Sequence, residues 1–153
     1  MADLTRAHVE AAYEALLTGD KQKILEYWHE DLRFEMPGNH QFAGWFNGLD
    51  DYLEKMAKLN EACGGRFTAT TLSILVNPDD GLSVDITRLD GYRADAPEDA
   101  TSPYERLQIE NIHVLRWENG RIVEGRSALF ADGGTLANMW WSPMNSRGER
   151  TEL

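Results

Sequence analysis

The sequence has little cysteine, no long apolar run and few basic residues, and each shortage excludes a class of protein. Cys63 is its one cysteine, so a disulfide within the chain is impossible and a reducing compartment is favoured. No apolar run approaches the length of a transmembrane helix. The polar start Met1-Ala2-Asp3 lacks the apolar segment of a signal peptide. We therefore expect a cytoplasmic protein that does not enter a membrane.

Basic residues are outnumbered, since 15 Lys and Arg face 26 Asp and Glu for a formal net charge of -11. An acidic chain repels phosphate backbones, so nucleic acid and acidic membrane surfaces are excluded as partners. The 4 histidines lack a ligand spacing such as H-x-x-x-H, which predicts no metal site. A P-loop and a dinucleotide fingerprint are also missing, and we expect no cofactor.

What is present fits one globular domain of 153 residues, with 42% hydrophobic and 27% charged residues. Apolar residues recur at helical spacing over about 4–17, 21–28 and 49–62. Alternation and β-branched residues predict strands over 32–36, 41–46, 66–76, 82–92, 104–117 and 121–130. Leu136, Met139, Trp140 and Trp141 indicate one docked helical turn in a tail over 133–153 that follows a core over about 4–132.

This order of elements predicts an α+β fold. We expect a strongly curved antiparallel sheet wrapped over about three N-terminal helices. The resulting cone would leave an internal pocket between the sheet and the helices, where a small molecule could bind.

Strand alternation assigns side chains to the two faces of this sheet. In the strand over 104–117, His113 and Asn111 share a face with the apolar set Leu107, Ile109, Leu115 and Trp117, so both point inward. The strand over 82–92 is ambiguous, because Leu82, Val84 and Ile86 share a face with Arg88 and Asp90. If that face is the inner one, Asp85 faces away from the pocket.

Three segments carry a resemblance to a known family: 13–20 (YEALLTGD), 34–48 (FEMPG, then FAG and Gly48) and 113–124 (HVLRWENGRIVE). The chain resembles the nuclear transport factor 2-like superfamily, and within it the SnoaL-like polyketide cyclase and ketosteroid isomerase group. The resemblance covers about residues 4–132. It is specific for the fold, but the same fold hosts many reactions and also proteins that only bind.

The resemblance implies roles for three residues. Tyr13 matches an oxyanion-stabilising tyrosine of the first helix, and His113 falls where ketosteroid isomerases have the second acid of the oxyanion hole. A histidine there could donate a hydrogen bond or move a proton near neutral pH. Met36, however, stands before Pro37 where those isomerases have their aspartate base, and a thioether cannot take a proton. Glu35 is adjacent, but alternation points it to the opposite face.

A basic partner could instead come from the last strand, where related cyclases and epoxide hydrolases have a catalytic aspartate. Asp132 and Glu124 are the candidates, with Arg126 as the cation that would keep a carboxylate charged. The alternative is that this set forms a solvated or dimer-facing surface. The residues predicted to line the pocket are Trp28, Phe34, Met36, Asn111, Arg126 and Phe130.

The functional expectation is a cofactor-independent enzyme of the isomerase, cyclase or lyase type. Its substrate would be a hydrophobic small molecule such as a polyketide, steroid or terpenoid-like compound. Cyclisation, isomerisation, dehydration and epoxide opening all suit the predicted acid–base groups. The alternative is a non-catalytic small-molecule binding protein of the same fold, which Met36 favours. The resemblance also implies a homodimer formed through the outer faces of the sheets.

Overall fold

The helix and strand boundaries follow local capping and turn residues. The computed structural model describes residues 4–151. The polar start over residues 1–3 and the last two residues of the predicted tail lie outside this range. In chain order the elements are α1 (Arg6–Leu17), α2 (Lys21–Ile24), β1 (Trp28–Met36), β2 (Gly44–Asn47), α3 (Leu49–Cys63), β3 (Phe67–Asn77), β4 (Leu82–Tyr92), β5 (Arg106–Glu118), β6 (Arg121–Leu129) and α4 (Gly133–Trp141).

Polar caps start the first two helices. The Thr5 side chain accepts a hydrogen bond from the backbone N–H of His8, and Asp20 does the same for Gln22. The second helix is shorter than predicted, because Trp28 already belongs to β1, where it pairs with Ile122. The indole N–H of Trp28 donates to the backbone carbonyl of Ala12, and this hydrogen bond connects β1 to α1.

The six strands form a curved, open sheet in the order β2-β1-β6-β5-β4-β3. Neighbouring strands are antiparallel except β1 and β6, which run parallel. The sheet is therefore mixed, and the fully antiparallel sheet expected from the sequence is wrong at this pairing. The chain leaves the β1–β2 hairpin through α3 and builds the β3–β6 meander, whose last strand arrives beside β1 in the same direction.

The register of the meander decides which side chains of β4 point inward. Asp85 lies opposite His113, Thr87 opposite Asn111, and Ser83 opposite Leu115. Side chains directly opposite in an antiparallel pair share a face, and Ser83, Asp85 and Thr87 are all buried. The prediction that Asp85 faces away is therefore wrong: in the first half of β4, Leu82, Val84 and Ile86 lie on the outer face, whereas Ser83, Asp85 and Thr87 lie on the inner one.

The C-terminal tail forms a complete helix that packs against β5, where the sequence predicted one turn. Trp140 and Trp141 are buried in the core, with their rings in edge-to-face contact at 5.4 Å. These rings close one side of the interior with apolar surface. Helices within residues 4–151 are all too short or too polar to cross a bilayer.

Candidate active site on the inner face of the sheet

A buried carboxylate lies at the centre of the inner face. Asp85 of β4 has no solvent exposure, and three side chains from three elements donate to it. The hydroxyl of Tyr13, on α1, donates to Oδ2 at 2.6 Å. The Nδ1–H of His113, on β5, and the hydroxyl of Thr87, on β4, each donate to Oδ1 at 2.9 Å. Both carboxylate oxygens thereby accept hydrogen bonds from protein side chains.

These contacts keep Asp85 charged. Burial alone would raise its pKa, but the hydrogen bond and charge of His113 and the hydrogen bonds from Tyr13 and Thr87 outweigh that effect and hold the pKa below its usual value. Burial, followed by the charge of Asp85, raises the pKa of Tyr13 well above its usual range. The same two causes raise the pKa of Tyr52 on α3. Both tyrosines are therefore neutral phenols at physiological pH.

The charged carboxylate fixes the tautomer of His113. Because Asp85 accepts from Nδ1–H, the neutral imidazole carries its lone pair on Nε2. Nε2 lies 3.0 Å from the side-chain nitrogen of Asn111, two residues earlier on β5. The side chain of His113 keeps 17% of its exposure, whereas Asp85 keeps none. A buried aspartate that orients a partly exposed histidine is an arrangement suited to general-base chemistry.

Several residues predicted from the sequence meet at this point. Tyr13, His113 and Asn111 lie within one hydrogen-bonded group around Asp85. Trp28 and Phe34 are buried beside it, with ring centroids 6.0 Å from Tyr13 and 6.0 Å from His113 respectively.

Met36 packs against the same core and is partly buried. Of the two rings, that of Phe34 lies directly beside His113. A thioether at this position adds apolar surface without any acid–base group.

The last strand does not bring its charged residues to this group. Glu124 and Arg126 lie on the outer face, opposite Arg33 and Glu35 of β1, and each forms an ion pair with its neighbour there. Glu35 points outward, as alternation predicted. Asp132 is exposed at the start of α4, and Phe130 is 43% exposed. The carboxylate beside His113 is thus Asp85.

Comparison with known proteins identifies the family. The sequence model of the SnoaL-like domain matches residues 9–125, which is most of the chain. The chain belongs to the SnoaL-like family. It is 29% identical over 132 residues to uncharacterised proteins of Mycobacterium tuberculosis and Mycobacterium bovis, covering 86% of this chain and 92% of each relative.

Solved structures agree with this fold. A protein from a soil-derived mobile gene cassette, Bal32a, superposes with a TM-score of 0.72 at 24% identity, covering 88% of this chain and 94% of that one. A putative SnoaL-like polyketide cyclase from Jannaschia sp. CCS1 superposes with a TM-score of 0.63 at 14% identity, covering 94% and 100%. At these identities the likeness concerns the fold.

This SnoaL-like protein also has an open depression of about 460 Å³ on the outer face of β3 and β4. Its lining residues are Arg66, Thr68, Thr70, Arg88, Asp90 and Tyr92. Arg88 pairs with Glu110 and Asp90 with Arg106 across the strands, and the guanidinium of Arg66 donates to the carbonyls of Arg93 and Ala96. Since these charges already have partners, the buried group around Asp85 is the stronger candidate site. Residues 4–151 form no cluster of three or more His, Cys, Asp or Glu side chains arranged for a metal ion.

Asp85 and Thr87 are the functional residues that the sequence reasoning missed. Their signal was the period-two series Ser83, Asp85 and Thr87, three short polar side chains on one face of a strand. Hydrophobicity alone assigned that face to solvent, because the alternate face carries Leu82, Val84 and Ile86. A buried polar face is the exception to the rule that apolar residues point inward, and it marks a site.

Proposed function

We propose that this SnoaL-like protein is a cofactor-independent enzyme that transfers protons on a hydrophobic small molecule, with His113 as the base. The observation that carries the proposal is the hydrogen bond between Nδ1 of His113 and the buried, charged Asp85. Asp85 stabilises the imidazolium that forms when Nε2 takes a proton. Asp85 acts through His113 and is a positioning residue, as are Tyr13 and Thr87, which hold its carboxylate.

The substrate class follows from the surroundings of His113. The ring of Phe34 lies beside His113, and Trp28 and Met36 belong to the same apolar core of the protein. A net charge of -11 disfavours polyanionic substrates. Proton abstraction beside a carbonyl group is a step common to isomerisation, dehydration and aldol-type cyclisation, and it needs one well-oriented base. Hydrophobic carbonyl compounds, such as polyketides or steroids, are therefore the proposed substrates.

The test compares wild-type protein with His113→Ala on a panel of hydrophobic ketones, hydroxy-ketones and epoxides. We expect the variant to lose about 100-fold to 10,000-fold in kcat/KM, the usual contribution of a positioned base. Its ligand affinity should stay within a few-fold, because the apolar surroundings remain. His29→Ala is the matched control, since His29 lies at the start of β1 and bonds only its own turn.

Binding of panel compounds without turnover by the wild-type protein would contradict the enzymatic proposal. That outcome would favour a small-molecule binding protein, the reading that Met36 supports. Equal turnover by wild type and His113→Ala would show that His113 takes no part in the reaction.

We also propose that the protein forms a homodimer through the outer face of its sheet. Leu75, Val84 and Val114 lie side by side on this face across β3, β4 and β5. Leu75 is 65% and Val114 38% exposed, so the row is open in the single chain. An exposed apolar row on a sheet is typical of a subunit interface. Paired charges lie near it, Arg88 with Glu110 further along β4 and β5, and Arg126 with Glu35 beyond Val114.

A further inference from the structure

The side chain of Asn111 has an unsatisfied atom beside the proposed base. Its amide nitrogen lies 3.0 Å from Nε2 of His113. Its oxygen, Oδ1, is buried and has no hydrogen-bond partner within residues 4–151. The residue as a whole is only 5% exposed. A buried amide oxygen without a partner is destabilising, so a polar group retained in this state points to a missing ligand group.

Rotating the side-chain amide of Asn111 by 180°, which exchanges its oxygen and nitrogen, does not supply the missing hydrogen bond. Oδ1 would then face Nε2, and the amide nitrogen would be the atom without a partner. That orientation also requires a proton on Nε2, in addition to the proton that Nδ1 shares with Asp85. In either orientation, one polar atom of the Asn111 amide has no hydrogen-bond partner within residues 4–151 and can bind a ligand group.

The contact with Asn111 also occupies the lone pair that the base needs. In the neutral imidazole, Nε2 accepts from the amide of Asn111 and so cannot take a proton from a ligand at the same time. A ligand group that draws the amide away from His113 would free Nε2. A hydroxyl group on the ligand would satisfy Oδ1 and also draw the amide away from Nε2, because it donates to Oδ1 and accepts from the amide nitrogen.

We propose that Asn111 is the specificity-determining residue of this site and selects hydrophobic ligands with a hydroxyl group near their carbonyl. The hydroxyl satisfies Asn111, whose side chain turns from His113 to the ligand and releases Nε2. The substrates are then hydroxy-ketones. This inference rests on the proposed function for the role of Nε2, while the hydroxyl preference is a statement about binding.

The binding test uses two probes that differ by one hydroxyl group, benzylacetone and its β-hydroxy derivative. Isothermal titration calorimetry measures both against wild type, Asn111→Ala, Asn111→Leu and the control Gln108→Ala. Gln108 carries the same amide group on the same strand but is exposed on the outer face. We expect wild type and Gln108→Ala to bind the hydroxylated probe about 10-fold more tightly than benzylacetone. Both Asn111 variants should bind the two probes within about 2-fold of each other.

A second measurement follows His113 directly, through the ¹⁵N resonance of Nε2. In wild type, the hydroxylated probe should move this resonance toward the position of a nitrogen without a hydrogen-bond donor, and benzylacetone should not. In Asn111→Ala the resonance should have that position before any ligand is added. Thermal unfolding of each variant verifies that it is folded, and Asn111→Leu keeps nearly the original side-chain volume if Asn111→Ala is unstable.

Equal affinity of wild type for the two probes, or no measurable binding of either, overturns the inference. So does a hydroxyl preference that persists in both Asn111 variants, or an Nε2 resonance that is the same in wild type and Asn111→Ala. A hydroxyl preference without turnover of any hydroxy-ketone contradicts the proposed enzyme alone. Turnover that depends on His113 without a hydroxyl preference overturns the role of Asn111 alone.

Discussion

At the scale of single residues, the chemistry proposed for His113 depends on Asp85. Its carboxylate receives the Nδ1–H of His113 and the hydroxyl of Tyr13, at 2.9 and 2.6 Å. A carboxamide in its place would also carry a donor, which could face Nδ1 and reverse the tautomer of the ring. The proton would then occupy Nε2, the atom that has to be free to act as a base.

Asp85→Asn is therefore expected to lower kcat/KM by about three orders of magnitude, with a smaller change in ligand affinity. The measurement is steady-state kinetics on a hydroxy-ketone that the wild type converts. Asp90→Asn is the matched control, because Asp90 lies on the same strand with its partner Arg106 on the outer face. Similar losses in the two variants would contradict a specific role for Asp85.

The ionisation of Asp85 sets the acid limit of this chemistry. Its pKa in the folded protein is held below the ordinary value of 3.8, so the carboxylate remains charged throughout the neutral and mildly acidic range. Protonation of Asp85 therefore does not account for any loss of activity between neutral pH and pH 5.

At the scale of elements, the loop between β1 and β2 is fastened to α4 and the residue that follows it. The backbone N–H of Asn39 donates to Oδ1 of Asn138 at 2.7 Å, and that of Gln41 donates to the hydroxyl of Ser142 at 3.2 Å. The ring of His40 stacks on Trp141 with centroids 5.2 Å apart. These contacts connect the end of β1, where Met36 lies, to the C-terminal helix.

His40 holds this loop as a neutral imidazole. Nδ1 accepts from the backbone N–H of Phe42, so Nε2 carries the proton and donates to the carbonyl of Pro37. Burial chiefly, and the charge of Arg150, lower the pKa of His40 from 6.5 to about 4, although the bond to Pro37 acts in the opposite direction. In the unfolded chain His40 has its ordinary pKa and takes up a proton first as the pH falls.

The free energy of unfolding should therefore be highest above pH 6.5 and fall as the pH decreases from 6.5 to 4, by on the order of 2 kcal/mol from His40. Urea denaturation at a series of pH values measures this slope. His40→Gln should have a shallower slope over that range, and His29→Gln should keep the wild-type slope. A slope unchanged in His40→Gln would contradict the role given to the neutral ring.

At the scale of the whole molecule, the apolar row on the outer face predicts the oligomeric state. Two chains of 17.3 kDa that pair through Leu75, Val84 and Val114 should elute as a species of about twice that mass. Leu75→Glu places a charge within the proposed apolar contact, where burial without a partner is costly, and it should give a monomer.

Size-exclusion chromatography with light scattering measures the mass. Leu17→Glu is the control, because Leu17 ends α1 at 86% exposure, away from the sheet. A wild-type mass of one chain, or a Leu75→Glu variant that stays dimeric, would contradict the proposed interface. The proposed interface and the candidate site lie on opposite faces of the sheet, so the variants that test one should leave the other intact.

The sequence alone determined the features that depend on neighbouring residues. Thr5 and Asp20 start helices, Asn119-Gly120 turns β5 into β6, and alternation along β5 points His113 and Asn111 inward. Each of these signals acts over a few residues through backbone hydrogen bonds or the pleat of one strand. They were sufficient for the α+β class, most element boundaries and two members of the candidate site.

Only the tertiary structure decided that Asp85 meets His113, that β6 runs parallel to β1, and that α4 encloses the interior. Asp85 and His113 are 28 residues apart, and the register of β4 on β5 that joins them is fixed by the packing of the whole sheet. The hydrophobic pattern of β4 pointed the wrong way, because Leu82, Val84 and Ile86 lie on its outer face while Ser83, Asp85 and Thr87 are buried on the inner one. Local rules fail where function requires buried polar groups, since there the free energy of the whole fold offsets the cost of one polar face.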